Sequence, residues 1–474
     1  MFTLNNILSV ARSAIAAQQT AVQVASNNIA NANTEGYTRQ RVVLRPGAPV
    51  NTALGPAATG VHVASYERMR DPLLDVSFRR DEGKSAASSM RRDLLRQIEG
   101  VFGEPSEYGL GAAMDRFWSA WDDLASDPLN DAARGMVRQR AIQLTSTFQN
   151  AAAELDAVAS GAETRLRDSL TRLNELGKEV ARLNVEIVAA EAGGATANEL
   201  RDARDRLIDE MAGLASVRVT EQANGSASVF VENTLFVDGG DSKALELTET
   251  AGTYGVAVKG SGASVSTARE GSALNEALRV LNEDLPAVGQ KLDDLARALV
   301  ERVNAVHAGA YAAGDGFTNP AGDFFRSDDL PGTPNGYVVS AASITLADPI
   351  EQSAANIATS TVAGQPTNNE AALQLAALRN DSNAITIDGI PTTLSGAYQS
   401  LVTGVAQETR AAEDSATVFS TLVAQTETRR ASVSGVSIDE ELIRLMQHQQ
   451  AYVAATRMVT AVDEMLGELL GMVR

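Results

Sequence analysis

Apolar or small residues fall at Leu4, Leu8, Ala11, Ile15, Val22, Ala25 and Ile29, and with Gln18 they form alternating steps of four and three. Leu8, Ile15, Val22 and Ile29 lie seven apart, the spacing of a seam along which helices pack. This predicts a helix over residues 1–34 with its large apolar residues at a subunit interface. The opposite face is Asn, Gln, Ser and Thr, and Arg12 is the only charge in the stretch. A solvated helix normally carries charges there, so this one is expected to be packed on more than one side.

The run Asn27 to Leu44 breaks the pattern. Asn28, Asn31 and Asn33 suit a helix end, and Gly36 can supply a left-handed closing residue. Tyr37, Arg39, Arg41 and Val43 then alternate with Thr38, Gln40, Val42 and Leu44, a strand-like period. Pro46, Gly47, Pro49, Gly55, Pro56 and Gly60 punctuate an extended segment up to about residue 75.

Helical patterning returns near Asp75. Phe117, Trp118, Trp121 and Leu124 share a helix face and read as core, and Asp127-Pro128 ends that helix. Leu166, Leu173, Val180 and Ile187, with Leu176 and Leu183, form a second seam. Gly193-Gly194 turns the chain into a further helix ending near Met211. Between Val217 and Thr267 the period falls to two, interrupted by Asn224-Gly225, Asp238-Gly239-Gly240 and Gly260-Ser261-Gly262, which signals hairpins inserted in a helical stem. Leu274, Leu278, Leu281, Leu285, Val288, Leu292, Leu295 and Leu299 resume the helix, which Pro286 either kinks or restarts. Residues 312–392 are mixed and loop-rich, and helix resumes from Tyr398 to about Arg430.

The last segment begins at Ser437, an N-cap followed by Asp439, Glu440 and Glu441. Leu445, Tyr452, Val459 and Leu466 lie seven apart along it, a second interface seam mirroring the first. The fold class is therefore mainly α with an inserted β-rich domain: a long helical-bundle stem whose N- and C-terminal helices pair as a coiled coil. The expected units are a terminal coiled coil (1–35 with 436–474), an extended connecting arm (36–74), a helical stem (75–215, 272–311 and 393–435) and an outer β-rich or mixed domain (216–271 with 312–392).

Composition narrows the function. A net charge of −20 opposes nucleic acid as a partner, since phosphate recognition needs a basic surface. The absence of cysteine excludes disulfides and thiolate chemistry. No basic start with an apolar core marks a signal peptide, and no run is long enough for membrane insertion. His62, His307 and His448 are isolated, and no metal-binding pair, P-loop or nucleophile elbow occurs. Asp122-Asp123 and Asp293-Asp294 are sequence neighbours that do not face each other on a helix and read as solvated charges. No catalytic, cofactor-binding or metal-ligating residue is expected.

The run Ala32 to Tyr37 resembles the Asn-Thr-x-Gly-Tyr signature of flagellar rod, hook and hook-associated axial proteins, here Asn33, Thr34, Gly36 and Tyr37. Phe117-Trp118 through Ala125 with Ala132-Ala133-Arg134, the run Asn198 to Leu207 (NELRDARDRL), Gly322-Asp323-Phe324-Phe325, and Ser434 to Glu441 with Gln449 to Tyr452 are similar to the branch of that family that forms the first junction between hook and filament. The resemblance implies a non-enzymatic, extracellular subunit that leaves through the flagellar type III export pathway without a cleaved signal. It implies self-association in an axial ring, hook protein and the second hook–filament junction protein as neighbours, and an export chaperone on the C-terminal helix. Some family members are longer and carry a further outer domain; this chain has room for one modest β-rich unit. The alternatives are a hook or rod axial protein, a cell-wall-glycan-cleaving enzyme on the same axial ends, and a cytoplasmic coiled-coil scaffold.

Overall fold

The computed structural model describes residues 4–52, 55–57, 59–265, 271–326, 339–387 and 389–472. Helix α1 (Leu4–Ala30) ends where the Asn31 side chain donates to the Asn27 carbonyl at 3.0 Å. Strands β1 (Gln40–Pro46), β2 (Val50–Thr52), β3 (Gly55–Ala57) and β4 (Val61–Arg68) follow. β1 pairs antiparallel with β4, and β2 with β3. The stretch expected as an extended arm is thus a two-stranded ribbon with a hairpin at its tip. It lies along α1, whose Ser13 hydroxyl accepts from the Val61 amide at 3.2 Å.

The stem begins with α2 (Pro72–Phe102), capped by the Asp71 carboxylate and closed by Gly103 in the left-handed region. Proline at the first helical position costs nothing, because that N–H has no intrahelical partner. α3 (Leu110–Ser126) carries the aromatic cluster inward; Phe117, Trp118 and Trp121 are fully buried. α4 (Asp131–Glu191) starts at Asn130, whose side chain accepts from the Ala132 and Ala133 amides, and its 61 residues reach about 90 Å. Its seam, from Leu166 to Ile187, is buried throughout. α5 (Asn198–Leu214) folds back on α4.

Six strands come next: β5 (Val217–Glu221), β6 (Ala227–Val231), β7 (Thr234–Asp238), β8 (Asp241–Ser242), β9 (Leu245–Thr250) and β10 (Thr253–Val258). The first four make one antiparallel sheet in sequential order, and β9 and β10 make a separate hairpin. The sheet reaches α4 at Gly177, where a side chain would meet the Phe236 ring at 2.5 Å.

α6 (Ala273–Arg279) and α7 (Leu285–His307) are joined by a π-helical turn, Val280–Asp284. Pro286 sits in the first turn of α7, so an α-helix restarts at the proline, after one wider turn that accommodates its missing donor and its ring. The remaining short elements are β11 (Tyr311–Ala312), α8 (Asp348–Gln352), β12 (Ala358–Ser360), α9 (Glu370–Ala377), β13 (Ile385–Ile387) and β14 (Ile390–Thr392). Phe324 and Phe325 leave this region to stack among Phe117 and Trp121, with centroids 5.5–6.0 Å apart. The strands between 217 and 258 and the short elements after residue 339 meet α4 at different heights. Asn174 and Asn184 hold the β strands, whereas Gln149 reaches Ile344 and Arg138 reaches Glu351.

α10 (Leu394–Ser434) runs antiparallel along α2, and α11 (Ile438–Met472) returns along α1. Asn28 meets Glu441 and Gln18 meets His448, so α1 and α11 are antiparallel.

Helix and strand are joined by a repeated device. Asn28, Asn174, Asn184, Asn282 and Asn304 each accept from the N–H and donate to the C=O of one residue: Gln40, Leu245, Ala227, Tyr254 and Phe325 respectively. A carboxamide carries the same donor and acceptor as a peptide unit, so each asparagine stands in for a neighbouring strand.

Candidate functional site

The signature turn lies where the terminal helices, the ribbon and the stem converge. Asn28 is its hub. Its Oδ1 accepts from the Tyr37 hydroxyl at 2.8 Å and the Gln40 amide at 3.0 Å. Its Nδ2 donates to the Gln40 carbonyl at 2.8 Å and to Glu441 at 2.9 Å. The buried amide is thereby fully satisfied. Thr34 accepts from the Tyr37 amide through its carbonyl and donates its hydroxyl to Asn31. Gly36 takes φ +75°, a conformation that favours glycine, and it packs against the Arg206 side chain of α5. Asn33 is exposed and takes no part in these bonds. Burial, then the carboxylates of Asp202, Glu199 and Glu441, push the Tyr37 pKa up to about 12, which keeps its proton on the donor.

α5 supplies the other half. Asp202 accepts from the Thr38 amide at 3.0 Å and from Arg68 at 2.8 Å, and Asn198 donates to the Gln40 side chain. Asp205 accepts from Arg68 at 2.8 Å and Arg70 at 2.6 Å. Arg79 reaches Asp209, and Arg430 of α10 bridges Asp75 and Asp209. Burial opposes the Asp205 charge, but Arg70, Arg68, Arg204 and Arg79 hold its pKa below the usual carboxylate range. Arg204, fully buried, donates to Asn184, the Gly225 carbonyl and Glu221, and so ties this cluster to the sheet; burial lowers its pKa. The NELRDARDRL run thus docks the ribbon on the stem. Its physical role was invisible in sequence because Thr38, Arg68 and Arg70 are far away along the chain.

The interface-seam residues are only partly covered where α1 meets α11. Among the described residues Ala11, Ala17, Ala21, Ala25 and Asn28 are the buried positions of α1, and Glu441, Ala455 and Val462 those of α11. Leu8, Ile15, Val22, Ile29, Leu445, Tyr452, Val459 and Leu466 are half-buried. Met446, Val453, Met458 and Met465 are exposed.

His307 is a core residue and His448 bonds Gln18. Asp293, expected as a solvated charge, is half-buried; burial raises its pKa, and it accepts from the Ala341 amide. Among the described residues no group of His, Cys, Asp and Glu has the arrangement of a metal site, and no helix is long and apolar enough to cross a membrane.

A family model described as flagellar hook-associated protein FlgK helical domain matches residues 95–325. Models of flagella basal body rod protein and of the flagellar basal body rod FlgEFG protein C-terminal match residues 8–38 and 429–472. Flagellar hook-associated protein 1 of Bacillus subtilis is 30% identical, over 98% of this chain and 97% of its own length. The Escherichia coli protein of that name is 24% identical, over 98% of this chain and 100% of its own. The solved hook junction protein FlgK from Burkholderia pseudomallei has the same fold, with a TM-score of 0.66 over 76% of this chain and 100% of its own at 16% identity. The chain accordingly belongs to the flagellar hook-associated protein 1 family, structural components of the bacterial flagellum.

Proposed function

We propose that this subunit is the adaptor joining hook to filament, assembled as a ring after type III export without a cleaved signal. The carrying observation is the uncovered apolar surface of the terminal pair. Leu8, Ile15, Val22 and Ile29 on α1, and Leu445, Tyr452, Val459 and Leu466 on α11, remain half-exposed after the two helices have met. α1 has no charged side chain but Arg12 to solvate that face. Neighbouring subunits would cover both helices, with hook protein on one side and the second junction protein on the other. Before secretion a chaperone would cover α11. Rod-type matches confined to the two ends, around a hook-associated helical domain, favour this reading over a hook or rod protein. No arrangement in the clasp formed by the terminal helices, the ribbon and α5 resembles a catalytic one, and the subunit acts by assembly, outside the cell.

Val22→Asp and Leu466→Asp test the role. Each puts a carboxylate into a seam that dries only on assembly, at a cost of several kcal/mol per subunit. Cells should carry hooks and shed filament subunits while the purified chain melts normally. Leu173→Asp, in the fully buried stem seam, should lower the melting temperature sharply. Normal swimming with Val22→Asp and Leu466→Asp would refute the assignment.

A further inference from the structure

β5 is an edge strand of the four-stranded sheet: among the described residues it pairs only with β6. The Ser216 carbonyl accepts from the Glu232 amide and the Gln222 amide donates to Ser226, framing the ladder at both ends. Antiparallel alternation then turns the N–H and C=O of Val217, Val219 and Glu221 away from β6. These residues border a groove of about 590 Å³ between β5, the first half of α2 and the end of β4.

The groove is cationic, with six Lys and Arg side chains against three carboxylates. Arg68, Arg70 and Arg79 are committed to the aspartates of the clasp behind it. Arg80, Lys84 and Arg218 are not. Arg80 pairs only with its neighbour Asp81 among the described residues and is 62% exposed. Lys84 and Arg218 form no ion pair among the described residues, lying instead over the rings of Phe419 and Phe230 at 5.5 and 4.1 Å. Such a local excess is notable on a chain of net charge −20.

We propose that this groove docks an extended acidic segment of another polypeptide, added to β5 as a fifth strand. The free edge demands a backbone in extended form, which neither a helix nor a small anion offers. Arg80, Lys84 and Arg218 demand carboxylates on that strand.

The probe is a fluorescent, end-blocked heptapeptide alternating Glu and Thr, titrated into the full chain and followed by anisotropy. Saturable binding is expected, weakened about tenfold or more by combining Lys84→Glu with Arg218→Glu. N-methylation of alternate peptide amides should abolish it, and that comparison needs only the wild-type chain if the variant misfolds. Equal binding of a Lys-Thr peptide, undiminished binding of the N-methylated peptide, or no saturation at millimolar peptide would each overturn the proposal. So would self-association in sedimentation that Arg218→Glu removes, which would make the occupant a second copy.

Discussion

Asn28 of α1 donates to Glu441 of α11 at 2.9 Å across 413 residues of chain, and the same side chain holds both backbone groups of Gln40. One amide therefore fixes the meeting of the first helix, the last helix and the ribbon. Asn28→Leu would strand the Gln40 amide and carbonyl and the buried Glu441 carboxylate, each costing about 1–3 kcal/mol. The loss should stay local. Hydrogen exchange at the Gln40 amide should quicken at least about tenfold while Val180 in the stem keeps its protection. Equal loosening of both would mean that the terminal unit and stem unfold together.

Gly177 admits the Phe236 ring against α4. Alanine is normally the better helix former by about 1 kcal/mol. Here its methyl would collide with a fully buried ring, an overpacking cost of about 1–3 kcal/mol. Gly177→Ala should therefore lower the melting temperature. Phe236→Leu should cost less in that background than in the wild type, a coupling that a double-mutant cycle measures.

His307 donates from Nδ1 to the Gly322 carbonyl at 2.7 Å and accepts at Nε2 from the Ala358 amide at 3.0 Å. Only the neutral ring can do both. Burial pushes its pKa down from 6.5 to about 4, with the Gly322 carbonyl and Asp323 opposing. The unfolded chain binds the proton first, so this contribution is complete above pH 6.5 and is lost as pH falls toward 4. The loss amounts to roughly 3 kcal/mol. Urea titrations at pH 7 and pH 5 should show a larger drop for the wild type than for His307→Gln. Parallel pH profiles would rule out this ring as the source.

Asp205→Asn removes the carboxylate shared by Arg68 and Arg70. Leaving those guanidiniums buried with fewer partners should cost about 3–5 kcal/mol. Because the Asp205 pKa is depressed, the wild-type contribution persists at neutral pH and fades only below the ordinary carboxylate range. Calorimetry at pH 7 should show the variant deficit, and it should narrow on acidification below that range.

Periodicity made the architecture legible. Leu166 through Ile187 and, but for the half-buried Val288, Leu274 through Leu299 are buried along the rods that their spacing predicts, and the shift to a period of two marks the hairpins. The faces were harder. On α1 the seven-residue spacing picks out Leu8, Ile15, Val22 and Ile29, which are half-buried, while the small residues Ala17, Ala21 and Ala25, which a pattern of large side chains does not mark, are buried. Pairing of Arg41 with Glu67 across the ribbon, and the grip of Asn282 on Tyr254, rest on contacts between distant stretches that no local pattern encodes. The clasp residues stood in plain view at Asp202 and Asp205, but their partners are more than a hundred residues away.

The antiparallel pairing of α1 with α11 also sets a clock. Translation at roughly 5–20 residues per second leaves α1 waiting about 20–80 s for Glu441 to emerge. Throughout that interval α1 has the ribbon beside it but not α11, and the pair closes only after the whole stem has been translated.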